Sequence, residues 1–232
     1  MKLITFSGPP SSGKTSVISR MIRAYLDRGT KVGVVKFDCL QSNDDKIYAR
    51  LKVPVLLGIS GQQCPYHYYI SNIEDVFNWG TELNFDILLS ASAGLCNRCA
   101  PHIRDIPAVC VIDQMSGVHT PMKIGPMLRF ADIVVITKSD IVSQAEREVF
   151  EMNVQCVNPH AEIFHVNGLT GQGLTELIEI LDGYSIDSKV TENKLRYPMP
   201  MALCSYCLGE TNIGAQYQLG NLRKVEIRER DM

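Results

Sequence analysis

The residues Gly8-Pro9-Pro10-Ser11-Ser12-Gly13-Lys14-Thr15 satisfy the pattern G-x-x-x-x-G-K-[ST] at every defined position. The pattern constrains the fold because such a loop works only between a strand and a helix. An apolar run, Leu3 to Phe6, precedes it, and Val17, Ile18, Met21, Ile22, Tyr25 and Leu26 follow at helical spacing. The chain is therefore expected to bend from a buried strand into a helix N-terminus, whose unpaired N–H groups and dipole favour an anion. In a loop of this kind Lys14 neutralises the β- and γ-phosphates and the Thr15 hydroxyl ligates Mg²⁺. Gly8 to Thr15, with Ser16, are thus read as the cradle of a nucleoside triphosphate.

Six strand-like runs alternate with helical patterns: Leu3–Phe6, Val32–Phe37, Ile87–Leu89, Val109–Ile112, Ile133–Ile136 and Ile163–Val166. Val55–Leu57 is a short seventh run. The alternation predicts an α/β fold of the P-loop type, a mostly parallel sheet with helices on both faces. The last helix is marked by Leu174, Leu177, Ile178 and Leu181 after the turn Gly171-Gln172-Gly173. The pattern changes near Gly183. The reading divides the chain into a nucleotide domain over 1–183, a polar linker over 184–200 and a small cysteine-bearing β appendage over 201–232, with a hairpin from Ala215 to Ile227 turning at Gly220-Asn221. So small a tail needs a metal, a partner or docking on the main domain to hold its shape.

A formal charge of −2 gives no reason to expect a nucleic acid or an anionic membrane as partner. The N-terminus runs directly into the first strand, so a leader is not expected and the cytoplasm is the expected compartment. In that reducing setting the 8 cysteines read as thiols or metal ligands rather than disulfides.

Thr137-Lys138-Ser139-Asp140 directly follows the strand Ile133–Ile136 and resembles the guanine-reading [NT]-K-x-D motif. There a carboxylate, here Asp140, accepts from the base N1–H and N2–H₂, a donor pair adenine lacks, and the Lys138 stem packs on the ring. The expected nucleotide is therefore GTP. Asn167-Gly168-Leu169, after the strand Ile163–Val166, stands where a base-capping loop belongs. Asp38 ends the second strand, in reach of Mg²⁺ or a water on it. Asp113 ends another and is set to meet metal or γ-phosphate, unless it caps a turn.

In this order the motifs resemble the HypB/UreG group of nickel-handling GTPases over roughly residues 2–182, read with Lys36-Phe37-Asp38, Asn43-Asp44-Asp45, Gly61-Gln62-Gln63-Cys64-Pro65-Tyr66-His67 and Val111-Ile112-Asp113. The resemblance implies a slow GTPase, with Lys14, Thr15 and Asp38 serving the reaction. It also implies a homodimer closed across the nucleotide sites, and a client metalloenzyme to which nickel or another ion is delivered. Two departures stand out. Ala91 replaces an acidic residue the group usually carries, and Tyr66 splits the Cys-Pro-His triplet.

The cysteines fall into three segments. Cys64 and His67 have C-x-x-H spacing, suited to nickel or zinc. Cys96-Asn97-Arg98-Cys99 is a full C-x-x-C, followed by His102, which reads as a helix-start or surface histidine. Cys204-Ser205-Tyr206-Cys207 is a second such pair in the tail. The pairs suit zinc, an iron–sulfur cluster or a redox dithiol. With an iron–sulfur cluster the chain would be a nucleotide-gated electron donor; with hydrolysis lost, a regulatory GTP-binding module. Cys39, Cys110 and Cys156 have no partner spacing, and Tyr66, Tyr68 and Tyr69 read as packing.

Overall fold

The computed structural model describes residues 1–40, 44–94, 97–185, 190, 193–198, 209–218 and 222–227. In chain order the elements are β1 (Lys2–Ser7), α1 (Lys14–Asp27), β2 (Val32–Asp38), α2 (Asp44–Ala49), β3 (Val55–Ile59), α3 (Pro65–Glu82), β4 (Ile87–Ser92), β5 (Ala108–Asp113), α4 (Thr120–Ile124), α5 (Pro126–Arg129), β6 (Ile133–Thr137), α6 (Gln144–Val157), β7 (Glu162–Val166) and α7 (Leu174–Gly183). All seven apolar runs are strands. They form one sheet in the order β3-β2-β4-β1-β5-β6-β7, and every neighbouring pair is parallel.

The near-continuous apolarity of these strands follows from burial on both faces. Successive side chains alternate between two cores. Leu3 and Val35 point into one core with Tyr69, Ile73, Met127 and Phe150 of α3, α5 and α6. Ile4 and Val34 point into the other with Val17, Ile18, Leu177 and Leu181 of α1 and α7. The three tyrosines pack as expected: Tyr66, Tyr68 and Tyr69 are buried, and Tyr69 meets Phe37 edge to face at 5.0 Å. Because all strands run the same way, β1, β2, β4, β5, β6 and β7 deliver their carboxyl ends to one rim, where ligands of open α/β sheets bind.

The described parts of the tail lie on the domain. Arg196 is held by both carboxylate oxygens of Asp132 at 2.6 and 2.7 Å, and donates to the carbonyls of Ile103, Ile106 and Phe130. Asn72 of α3 donates to the Arg223 carbonyl at 2.9 Å and accepts from the Val225 N–H at 2.8 Å. Leu195, Ile213 and Val225 are buried in the α3-side core. The hairpin expected over 215–227 is not what the described residues form. Ala215–Tyr217 is a 3₁₀ turn, and 222–227 is irregular chain that takes its backbone partner from Asn72 instead of a sister strand. The proposed turn at Gly220-Asn221 lies outside the described residues.

Candidate functional site

The loop after β1 is shaped by close backbone approach. Gly94, just beyond β4, passes so near that a Cβ there would lie 1.6 Å from the Gly8 carbonyl oxygen, and a Cβ on Gly8 would lie 2.0 Å from that of Val111. Gly13 caps α1 in the left-handed region at φ 87°, which turns the loop's N–H groups inward. Thr137, the first residue of the Thr137-Lys138-Ser139-Asp140 segment, donates from its hydroxyl to the Ser12 carbonyl at 2.8 Å. That segment and the loop after β1 are thus joined directly.

Lys14 folds back over the loop and donates to the carbonyls of Gly8 and Pro9, each at 2.7 Å. Burial, then the charge of Lys36, lowers its pKa to about 8. A cleft of about 340 Å³ lies in front of it, lined by residues 10–15, Lys36, Asp38, Asp44, Ala93 and Gly94. In that cleft the Lys36 ammonium stands 3.0 Å from Asp44 and 3.6 Å from Asp38. Asp38 and Asp44, gathered around the Lys36 ammonium in the cleft that Thr15 also lines, are hard oxygen donors of the kind that suits Mg²⁺. Asp44 and Lys36 had been read only as part of a family-like segment. The signal for Lys36 was a lone charge inside an apolar strand.

At the base end, Lys138 takes a left-handed backbone (φ 59°) and pairs with Asp113 while donating to the Ser11 carbonyl at 3.3 Å. Asp113 also accepts from the Met115 N–H at 2.8 Å, so it caps a turn and fixes Lys138; it does not line the phosphate cleft. Asp140 is exposed. Asn167 accepts from the N–H groups of Leu169 and Thr170, and Gly168 packs so close to Ser16 that a Cβ would sit 2.8 Å from the serine Cβ. The 167–169 loop is therefore seated on the start of α1, with Leu169 projecting into solvent.

Sequence reasoning missed two supports of this end. His165 in β7 meets the Ser139 hydroxyl through Nδ1 at 2.7 Å, and Glu151 of α6 through Nε2 at 3.2 Å. The available signal was a histidine in an otherwise apolar strand.

The cysteine segments are only partly brought together. Cys64 caps α3 and packs against the core that also buries Cys99. His67 is fully buried on the first turn of α3, and burial lowers its pKa, keeping the imidazole neutral. Cys96, Cys204 and Cys207 lie outside the described residues. Among the described residues no group of three or more His, Cys, Asp or Glu side chains gathers to hold an ion. His102 corrects its sequence reading: it is no surface group but fully buried, bonded to the Met127 carbonyl at 2.8 Å and Ser7 Oγ at 3.2 Å, and burial drives its pKa to about 4.

Residues 2–165 match the family model of the CobW/HypB/UreG nucleotide-binding domain. The uncharacterized protein MJ0120 of Methanocaldococcus jannaschii is 48% identical over 97% of both chains. The urease accessory protein UreG of Yersinia enterocolitica is 28% identical over 77% of this chain and 86% of its own. Among solved structures, the hydrogenase maturation factor HypB of Archaeoglobus fulgidus superposes with a TM-score of 0.62 at 22% identity, over 79% of this chain and 89% of its own. HypB of Helicobacter pylori in complex with nickel gives 0.62 at 19%, over 82% and 91%.

Proposed function

Since the chain belongs to the CobW/HypB/UreG nucleotide-binding domain family, we propose that it is a GTP-hydrolysing maturation factor whose nucleotide state sets its affinity for a metal ion delivered to a client metalloenzyme. Lys14 and the N–H groups of residues 11–16 hold the phosphates, and Asp140 and Lys138 hold guanine under the 167–169 loop. Thr15 and Asp38, with Asp44, would hold Mg²⁺, which supplies charge neutralisation of the phosphates. The cargo is a nickel or zinc ion, and its ligands are drawn from Cys64, His67, Cys96, Cys99, Cys204 and Cys207. Two copies meet across their nucleotide sites.

One observation carries the coupling. The loop leading to Cys64 is bonded to the loop leaving Asp38: the Ser60 N–H donates to the Asp38 carbonyl at 2.9 Å, and the Gly61 N–H to that of Cys39 at 2.7 Å. A shift of the Asp38 strand end as the cleft fills therefore reaches the Cys64 cap through two backbone bonds. The test is Ni²⁺ and Zn²⁺ affinity of the anaerobic full-length protein with GDP and with a non-hydrolysable GTP analogue. At least one ion is expected to bind about tenfold differently between the two states, a coupling of the usual allosteric size. Equal affinities for both ions in both states would end the proposal, and a visible absorption band in the purified protein would replace the ion by an iron–sulfur cluster.

A further inference from the structure

The phosphate cleft holds two buried lysines where the loop pattern accounts for one. Lys14 belongs to the loop. Lys36 comes from β2 and is 5% exposed. It lies in register with Ala91 of β4, and it shares with Val34 the sheet face that carries α1. The neighbouring position is thus a methyl group, which leaves the ammonium free to reach into the cleft that both lysines line. Two like charges facing one cavity repel, and the strain shows at Lys14, whose pKa is lowered by Lys36 after burial itself.

We propose that Lys36 is a ligand of the terminal phosphate and sets the preference for a nucleoside triphosphate over a diphosphate. The proposal rests on the nucleotide reading of the cleft. Asp38 and Asp44, which hold the ammonium at 3.6 and 3.0 Å, are the carboxylates that fit a divalent ion. Carboxylates engaged by that ion release the lysine. Its flexible four-carbon stem then carries a strongly hydrated point charge to the nearest remaining anion. The loop N–H groups serve the inner phosphates and Lys14 bridges the β- and γ-phosphates, so the oxygens left to Lys36 are the remaining ones of the outermost phosphate. A diphosphate lacks it.

The experiment measures affinity of a fluorescent GTP analogue that cannot be hydrolysed, and of the matching GDP, for wild type, Lys36→Met and Lys36→Arg in saturating Mg²⁺. One charge-assisted hydrogen bond predicts that Lys36→Met lowers the triphosphate-to-diphosphate affinity ratio about ten- to a hundredfold, while GDP affinity moves less than about threefold. Lys36→Arg keeps most of the ratio. An unchanged ratio in Lys36→Met overturns the assignment, as does an equal loss or gain for both nucleotides. If the variant does not fold, amine labelling of wild type decides: Lys36 should be protected by the triphosphate analogue and not by GDP, and equal protection overturns it. Wild type that binds neither nucleotide would instead bring down the nucleotide reading itself.

Discussion

At the phosphate end of the cleft, backbone rests on backbone: Gly94 against Gly8 and Gly8 against Val111. At the base end, side chains hold side chains: Asp113 on Lys138, His165 on Ser139, Glu151 on His165. The first kind of contact tolerates no substitution, because any Cβ occupies space already filled. The second tolerates substitution at the cost of a hydrogen bond. The phosphate end should therefore act on a nucleotide whatever its base, and the opposite end should act on the choice between bases.

The sharpest way to break that contrast is Gly94→Ala. Its Cβ would fall 1.6 Å from the Gly8 oxygen and 2.4 Å from the Gly8 carbonyl carbon, so the loop must move. Overpacking of this kind costs about 1–3 kcal/mol of stability. Displaced N–H groups should lower GTP and ATP affinity together, on the order of a hundredfold, since several phosphate bonds are lost at once. Gly29→Ala is the control. It has a positive φ of 75° and nothing within 4 Å, so it should cost about 1–2 kcal/mol of backbone strain and leave nucleotide affinity alone. If Gly94→Ala spares ATP while reducing GTP, the two ends are not separable.

Protonation offers a second probe. In the free protein Lys14 loses its proton near pH 8, below the ordinary lysine value, because burial and Lys36 both disfavour its charge. Phosphates favour that charge and raise the pKa on binding. Above about pH 8 binding must therefore take up a proton, and affinity should fall by up to tenfold per pH unit. Below pH 8 the lysine is charged in both states and the dependence disappears. Titrations of ADP and ATP between pH 7 and 9.5 check this, and a flat profile would remove Lys14 from contact with phosphate. Lys36→Met should move the onset to higher pH.

The same contrast explains what was legible in the sequence. A backbone requirement leaves a fixed trace, glycine at a fixed spacing, so Gly8, Gly13 and Lys14 could be read directly. The position of Asp140 just past a strand end was legible, because its segment directly follows the apolar run that forms β6. The Lys36–Asp44 pair was not, because it depends on where α2 begins after β2 and on the β2–β4 register. Arg196 was read as part of a polar linker, since nothing local tells a solvated arginine from one that finds Asp132 and three carbonyls. The tail hairpin misled for a related reason: alternation in 222–227 looks like a strand, but the described backbone turns to Asn72 of α3. His102 lacked any local sign of burial, because its partners Met127 and Ser7 lie on α5 and β1.

The smallest effect is the most specific. His165→Gln removes the imidazole that holds Ser139 at 2.7 Å and leaves its hydroxyl only the 3.5 Å approach to Gln114. Ser139 lies between Lys138 and Asp140, the two residues proposed to pack on the base and to read it. Loosening it should widen the range of positions Asp140 samples without moving the phosphate loop. One neutral hydrogen bond is worth about 0.5–1.5 kcal/mol, so GTP affinity should fall about two- to tenfold. ATP affinity, which owes nothing to Asp140, should hold, and the GTP-to-ATP ratio should shrink by the same factor. A merely structural role would lower both equally. Glu151→Gln, one bond further out, should reproduce the loss in weaker form, because Glu151 orients the histidine and does not touch the motif. A full-sized effect from Glu151→Gln would mean that α6 positions the base-reading turn directly, and that the base end is fixed by packing as the phosphate end is.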